Sequence, residues 1–214
     1  MAVRINGSLE GTLGAASLPP SWQASSDSPD TVEPDYVRSG SGIYAVGSPD
    51  SPDGGTFVNA RSDTVNEGFQ QQVSGLLPDT EYTLTFFQSN SAFSNLAGVP
   101  VQVETGHWGV TFDGLTQNSP SLVFEGNDSQ TWSQVDMTFT TGPSTTSAWL
   151  TLTSIRDSAS GTSRLSIDGI SLDVASSSIP EPTTMLLLVA GLAGVAVALG
   201  YHSNATDPKL DSGD

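Results

Sequence analysis

The chain has 214 residues and a formal net charge of −17, from 23 acidic and 6 basic residues. This balance excludes nucleic acid as a partner, because no basic patch is present to neutralise phosphates. It favours divalent cations and solubility outside the cell. The absence of cysteine excludes disulfides, thiolate metal sites and cysteine nucleophiles.

The first quarter of the chain is irregular. Residues 16–55 are rich in Ser, Pro, Asp and Gly, and we interpret them as loops between short strands. Three Ser-Pro-Asp triplets in this region end at Asp30, Asp50 and Asp53. We interpret these as turns, because proline and aspartate favour turns for backbone reasons alone.

From residue 81 onwards apolar residues alternate with polar ones, and turn residues recur about every ten positions. The alternation predicts an all-β sandwich or barrel, because successive side chains of a strand point to opposite faces. A β-bulge is predicted at Asp168-Gly169 in the last strand. The predicted core positions are Tyr82, Leu84 and Phe86; Val99, Val101 and Val103; Trp108, Val110 and Phe112; Val135, Met137 and Phe139; Ala148, Leu150 and Leu152; and Leu165, Ile167, Ile170, Leu172 and Val174.

Several short motifs follow one another in a fixed order along residues 5–174. They are Asn6-Gly7-Ser8-Leu9-Glu10, Asp53-Gly54-Gly55-Thr56-Phe57-Val58, Phe69-Gln70-Gln71-Gln72-Val73, Gly75-Leu76-x-Pro78-x-x-x-Tyr82 and Ile167-Asp168-Gly169-Ile170-Ser171-Leu172. Together they resemble galactose-binding-like jelly rolls, which are related to carbohydrate-binding modules. The resemblance implies a jelly-roll β-sandwich over residues 1–174 that binds polysaccharide.

Domains of this type often hold a structural calcium ion where the first and last strands meet. By motif position, the resemblance implies that Glu10 and Asp168 are its carboxylate ligands. Calcium takes about six to eight oxygen ligands, so carboxylates and backbone carbonyls together can form the site. The alternative is that both residues are ordinary turn residues.

Sugar binding needs aromatic rings that stack on sugar rings. Tyr36 and Tyr44 flank a Gly/Ser-rich loop and are expected to be exposed. Trp149 points away from Leu150 and Leu152 and is a third candidate, whereas Trp108 shares a face with core residues. We therefore take Tyr36, Tyr44 and Trp149 as the candidate ligand-binding residues; the alternative is a core or rim role.

Catalytic motifs are scarce. One of the two histidines, His202, lies in the C-terminal tail, and His107 precedes a predicted strand, where a polar surface residue is the simpler interpretation. No Gly-x-Ser-x-Gly or His-Glu-x-x-His motif is present. We therefore do not expect an enzyme, although paired carboxylates for glycoside hydrolysis remain an alternative.

An uncharged apolar segment lies near the C-terminus, from Met185 to Gly200. A bilayer core of about 30 Å needs about 20 helical residues, so a transmembrane helix over about 184–201 is predicted. Pro180 and Pro182 mark its start, because proline does not fit inside a helix. The alternatives are a buried core helix and a removed lipid-anchor signal.

The Pro180-Glu181-Pro182 triplet before this segment resembles the PEP-CTERM sorting signal of exported bacterial proteins. The resemblance implies a Ser-rich linker over 175–179, a sorting and anchoring segment over 180–214, and processing near the triplet by an exosortase-type enzyme. It also implies an N-terminal signal peptide. Because the first ten residues contain no apolar region, we expect either a start upstream of Met1 or export by another route.

These observations predict a protein of the cell envelope or extracellular matrix, tethered to membrane lipid through its C-terminal helix before processing. PEP-CTERM proteins are associated with exopolysaccharide and biofilm, which agrees with a carbohydrate-binding sandwich. The alternative is a structural surface protein whose sandwich is a spacer without a ligand. A hydrolase is the third interpretation.

Overall fold

The computed structural model describes residues 5–101, 103–124 and 129–175. Within these ranges the chain forms fourteen strands and no helix. The strands are β1 (Gln23–Ser26), β2 (Asp30–Val32), β3 (Tyr36–Arg38), β4 (Gly42–Tyr44), β5 (Phe57–Ser62), β6 (Gly68–Ser74), β7 (Glu81–Asn90), β8 (Phe93–Ser94), β9 (Pro100–Val101), β10 (Gly106–Phe112), β11 (Leu115–Asn118), β12 (Ser133–Thr140), β13 (Ser147–Arg156) and β14 (Ser163–Val174). The all-β prediction is therefore confirmed for the described residues.

The strands form three antiparallel sheets. Sheet A has the order β12-β7-β14-β5-β2, sheet B the order β1-β6-β13-β10-β11, and the small sheet C the order β3-β4-β8-β9. With β8 and β9 of sheet C left aside, the chain after β5 passes between sheets A and B at every connection except the one from β10 to β11. The resulting orders, β5-β14-β7-β12 and β6-β13-β10-β11, are those of an eight-stranded jelly roll.

The core lies between sheets A and B and follows the alternation in the sequence. Tyr82, Leu84 and Phe86 are fully buried, as are Trp108 and Phe112. Every other predicted core position is also buried, with three exceptions. These are Val99, Val101 and Val174, which are 55%, 43% and 51% exposed.

The prediction for Val99 and Val101 was wrong for a topological reason. Their strand, β9, is only two residues long and lies at the edge of sheet C, away from the main core. An alternating pattern can identify a strand, but it does not say which sheet the strand joins. Val103 is the one residue of this triplet that is buried.

Two local features lie within the sequence motifs, and the second confirms the predicted β-bulge at Asp168-Gly169. The backbone N–H of Leu77 donates a 2.8 Å hydrogen bond to the Tyr82 hydroxyl, which closes the corner before β7. The register of β14 against β7 shifts between Asp168 and Ser171, so that β14 carries one extra residue there. Gly169 in this bulge has a φ of 59°, a conformation that glycine adopts without strain.

Sheet C and the segments beside it cover part of the outer face of sheet A. Val58 and Ala60 of β5 face the main core. Because successive side chains of a strand alternate, Phe57 points to the outer face of sheet A. Phe57 belongs to a second apolar cluster with Val32, Tyr44 and Ala45, against which Tyr36, Phe93 and Trp132 pack. This second layer places side chains from residues 30–45 over β5 and β14.

None of the described residues belongs to a helix that could span a membrane. The linker beyond Ala175, the Pro180-Glu181-Pro182 triplet and the predicted helix over 184–201 lie outside the described residues. Their prediction stands on the sequence.

Candidate ligand and metal sites

Trp149 differs from the other tryptophans of the described chain in its exposure. Trp108 is fully buried, and Trp22 packs edge-on against Phe69 at 4.8 Å between ring centroids. Trp132 packs edge-on against Phe57 at 5.1 Å. Trp149 lies on the outer face of sheet B and is 44% exposed. It is therefore the tryptophan best placed to stack on a ligand.

A row of uncharged polar side chains crosses sheet B beside Trp149. Register pairs place five residues, one from each strand, side by side: Gln23, Gln70, Thr151, Thr111 and Thr116. The Thr151 hydroxyl donates to Gln70 Oε1 at 3.3 Å, and the hydroxyls of Thr111 and Thr116 are 2.9 Å apart. Trp149 is paired with Gln72, two residues along each strand from the Thr151–Gln70 pair and therefore on the same face of the sheet. We name this surface, the row with Trp149 and Gln72, the Trp149 face.

Tyr36 and Tyr44 lie elsewhere, in sheet C. They are directly opposite each other on β3 and β4, with ring centroids 6.3 Å apart. The expectation that Tyr44 is exposed was wrong, because the ring is only 3% exposed and packs against Phe93 and the Arg164 guanidinium. Sheet C folds this ring against the outer face of sheet A. Tyr36 is half-buried at the rim.

A polar pocket of about 180 Å³ lies beside Tyr44. Its lining residues are far apart in the chain, five in strands and two in connections: Asp30, Arg38, Tyr44, Arg61 and Arg164, and Ser28 and Glu67. We name it the arginine pocket. Three of the six basic residues of the chain line it, in a protein with a net charge of −17. The interpretation of Asp30 as a turn residue was wrong, because Asp30 is the first residue of β2 and its side chain is buried.

Burial changes the acidity of both carboxyl groups in this pocket. It raises the pKa of Glu67 to about 7, and the Asp30 charge adds to the increase. Burial also raises the pKa of Asp30, although the Ala16 N–H and Arg38 oppose it. Both carboxylates keep a backbone donor: Arg61 N–H donates to Glu67 Oε2 at 2.6 Å, and Ala16 N–H donates to Asp30 Oδ1 at 2.9 Å.

Asp168 is the most buried carboxyl group of the described chain, at 0% exposure. The Ser51 hydroxyl donates to its Oδ2 atom, while Oδ1 has no hydrogen-bond partner among the described residues. Burial raises the pKa of Asp168 to about 7, and the charges of Asp53 and Glu10 add to the increase. The sequence singled out Glu10 and Asp168 for this site; the structure adds Ser51 and Asp53.

Glu10 reaches this neighbourhood from the start of the chain. The Thr56 N–H donates to its Oε2 atom at 3.2 Å, and the carboxylate lies directly over Gly55. Among the described residues, no group of three or more His, Asp or Glu side chains is close enough to form a complete metal cage. The orphaned oxygen of Asp168 nevertheless fits a cation, because a buried carboxylate oxygen needs either a donor or a metal.

Comparisons with known proteins identify no family. No family model and no curated protein matches the chain. Among solved structures, similarity is found to the enzymatically active domain of bacteriophage CBA120 tailspike protein 4, with 13% identity and a TM-score of 0.40 over 72% of this chain. The chain spans only 19% of that protein.

Two smaller domains match over most of their own length. TmCBM61, solved with β-1,4-galactotriose, is 15% identical with a TM-score of 0.40, over 72% of this chain and 89% of that one. The CBM22-1 xylan-binding domain of Paenibacillus barcinonensis Xyn10C is 11% identical with a TM-score of 0.39, over 78% and 90%. Similarities this distant carry no argument about ligand or activity, so the function has to be argued from the sites themselves.

Proposed function

We propose that the sandwich is a carbohydrate-binding domain that holds an extended, uncharged glycan on the Trp149 face. The observation that carries this proposal is the exposed Trp149 ring beside a row of amide and hydroxyl side chains across all five strands of sheet B. A ring can stack on the apolar face of a sugar, while amides and hydroxyls both donate to and accept from sugar hydroxyls.

The dimensions and charge of this face agree with an extended ligand. Neighbouring strands lie about 4.8 Å apart, so the row from Gln23 to Thr116 spans about 19 Å. That length accommodates several sugar rings of a linear chain. The row and its neighbours Gln72 and Trp149 carry no charge, which suits neutral hydroxyls better than ionic groups.

A second candidate function, glycoside hydrolysis, is favoured by one observation. Glu67 has a pKa of about 7 and lies in a pocket with Asp30. Hydrolysis by two carboxyl groups requires environments that push their pKa values apart, so that one is an acid and the other is charged. Burial raises both pKa values here. We therefore propose binding rather than catalysis.

We also propose a structural calcium ion held by Asp168 and Glu10, with Asp53 beside them. The unpartnered Asp168 oxygen and the accumulation of three acidic groups support this proposal. The ion would supply positive charge beside Asp168, where the charges of Asp53 and Glu10 add to the raised pKa of the buried carboxyl group. It would thereby fasten the start of the chain, the segment around Ser51 and the last strand to one another.

The cellular role rests on the C-terminal sequence. We propose that the protein is exported, sorted through Pro180-Glu181-Pro182 by an exosortase-type enzyme, and anchored by a helix over about 184–201 until it is processed. A glycan-binding domain delivered in this way would associate with exopolysaccharide at the cell envelope. The rival role, a spacer without a ligand, predicts no specific glycan binding.

Titration of the full chain with a panel of neutral and acidic polysaccharides, followed by tryptophan fluorescence and calorimetry, tests the proposal. We expect a change in Trp149 emission with at least one neutral linear glycan. A flat response across the panel would support the spacer. Release of reducing ends during incubation, lost in Glu67→Gln, would instead support hydrolysis.

A further inference from the structure

The arginine pocket brings together basic residues that the strand order alone places side by side. Arg164 on β14 lies directly opposite Arg61 on β5, and both point to the outer face of sheet A. Asp30 comes from the neighbouring strand β2, while Arg38 and Tyr44 reach in from sheet C. The pocket lies on a different sheet from the Trp149 face and does not depend on that proposed surface.

Two of the three arginines in the pocket, Arg38 and Arg61, form ion pairs with acidic residues of the described chain. Arg38 Nη1 is 3.7 Å from Asp30 Oδ2. Arg61 pairs with three acids, because its Nε atom is 3.2 Å from Asp63 Oδ2 and 3.8 Å from Glu67 Oε1, and its Nη2 atom is 3.7 Å from Asp27 Oδ2.

Arg164 has neither an ion pair nor a side-chain hydrogen bond with another described residue. Its guanidinium carbon lies 4.2 Å from the Phe93 ring centroid and 4.8 Å from the Tyr44 ring centroid. These rings hold the cation in place, but they supply no oxygen for its N–H groups. A fixed, half-buried guanidinium whose donors face a pocket is suited to a ligand with two acceptor oxygens.

We propose that the arginine pocket binds the carboxylate of a small acid, with Arg164 as the anchoring residue and a uronic acid sugar as the ligand class. The charge balance favours a carboxylate over a phosphate. Among the described residues Arg38 and Arg61 already have acidic ion-pair partners, Asp27 and Asp63 included, so Arg164 is the one guanidinium of the lining left for a ligand to match. A second negative charge on the ligand would face Asp30 and Glu67.

The remaining lining groups and the size of the pocket favour a sugar. Ser28, the Tyr44 hydroxyl and the two carboxyl groups are hydrogen-bonding partners for ring hydroxyls. The volume of about 180 Å³ is below the roughly 300 Å³ at which pockets for drug-sized ligands begin. That is room for one sugar ring, but not for an extended chain.

Calorimetric titration of the full chain in mild detergent tests this proposal. The probes are glucuronate, galacturonate, the neutral sugars glucose and galactose, acetate, and inorganic phosphate. We expect a uronate to bind in the millimolar range or tighter, more weakly at high salt, and no binding of neutral sugars. If acetate binds as tightly as a uronate, the pocket binds a carboxylate as proposed, but the ligand is a simple carboxylic acid and the sugar ring adds nothing to the affinity. Three outcomes would overturn the proposal. Uronates and neutral sugars could bind equally well, phosphate could be the one probe that binds, or none of the probes could bind.

Variants locate the site. Arg164→Gln should weaken uronate binding at least about tenfold, because it removes a charge-assisted pair of hydrogen bonds. The matched control is Arg156→Gln, since the Arg156 side chain donates to the Gly161 and Ala159 carbonyls of the loop after β13 and does not line the pocket; this variant should bind like the wild type. If Arg164→Gln does not fold, the arginine Nε–H signals of the wild-type protein give the answer by NMR. Uronate should shift the Arg164 signal and leave that of Arg156 unchanged; the reverse would contradict the proposal.

Discussion

The Ser51 hydroxyl donates a hydrogen bond to Asp168 Oδ2, and this contact joins the irregular segment before β5 to the bulge in the last strand. Both side chains are buried. One oxygen of the carboxylate is thus satisfied and the other is not. The Ser51 hydroxyl and the Gly169 N–H both favour the charged form of Asp168, but burial outweighs them, so the charged form is costly in the absence of a cation.

The stability of the calcium-free protein should therefore fall as pH rises. The pKa of Asp168 is about 7 in the folded protein and about 3.8 in the unfolded chain, so the folded state binds more protons between these values. The contribution of protonated Asp168 to the free energy of unfolding is fully present below about pH 4 and is lost as pH rises through about 7. Urea unfolding in chelator should give a higher midpoint at about pH 5 than at about pH 8.

Asp168→Asn isolates this effect, because the amide cannot ionise. The variant should lose part of the pH dependence and be more stable than the wild type at about pH 8 without calcium. Glu67 retains its own contribution of the same sign, so the slope should be reduced rather than abolished. A wild-type slope in Asp168→Asn would mean that this carboxyl group is not buried as described.

Calcium should reverse the sign of this dependence. A bound cation favours the charged carboxylates, so added calcium should raise Tm most at high pH, and chelation should lower it again. In saturating calcium, stability should rise between about pH 5 and about pH 8. A Tm that does not respond to calcium or chelator at either pH would rule out the proposed role of Glu10 and Asp168.

The two glycines beside Glu10 provide a matched pair of variants. Gly54 and Gly55 have φ values of 84° and 62°, so an alanine at either position is strained. A Cβ atom at Gly55 would lie 1.9 Å from Glu10 Oε1, whereas one at Gly54 would meet nothing within 4 Å. Gly55→Ala should therefore reduce the calcium-induced shift in Tm, while Gly54→Ala should lower Tm without reducing that shift. Equal calcium shifts in both variants would show that Glu10 is not a ligand.

Glu67→Gln should stabilise the protein at high pH. The charged form of Glu67 is disfavoured by burial above its pKa of about 7, and glutamine still offers an oxygen to the Arg61 N–H. The variant should unfold at a higher urea concentration than the wild type at about pH 8, and the difference should shrink towards about pH 5. If the variant were less stable at about pH 8, the attraction between Glu67 and the neighbouring arginines would outweigh the cost of its burial.

The sequence predicted which side chains point inward, but not which distant strands meet. Alternation placed Tyr82, Leu84 and Phe86 in the core, and Asp168-Gly169 in a bulge, because both properties are local to one strand. The arginine pocket was missed because Arg38, Arg61 and Arg164 become neighbours only through the pairing of β14 with β5 and the position of sheet C. The scarcity of basic residues in an acidic chain was the one sequence signal for it.

Ring exposure was harder to predict for the same reason. Trp149 lies on a regular strand of a sheet with one open face, so its direction followed from Leu150 and Leu152. Tyr44 lies in a three-residue strand within an irregular region. Its burial depends on sheet C folding against sheet A, a tertiary contact without a periodic pattern.

Trp149→Ala should abolish the proposed glycan binding with little effect on stability. The ring is 44% exposed, so its removal should change the free energy of unfolding by about 1 kcal/mol or less. Trp149→Phe should retain part of the affinity, because a smaller ring still stacks. Leu115→Ala is the control, since Leu115 is 48% exposed on the same sheet but lies outside the Trp149 face. Loss of binding in the control, or full binding by Trp149→Ala, would place the ligand elsewhere.

The C-terminal proposal predicts a defined end of the mature protein. If an exosortase-type enzyme recognises Pro180-Glu181-Pro182, mass spectrometry of the protein from its native envelope should find a C-terminus near residue 180. Glu181→Ala should remain full length in the same cells, because the carboxylate between the two prolines is lost while the apolar segment is unchanged. A wild-type protein that ends at Asp214 would indicate a permanent membrane anchor. In that case the sandwich would bind its glycan as part of a tethered protein instead of being released into the matrix.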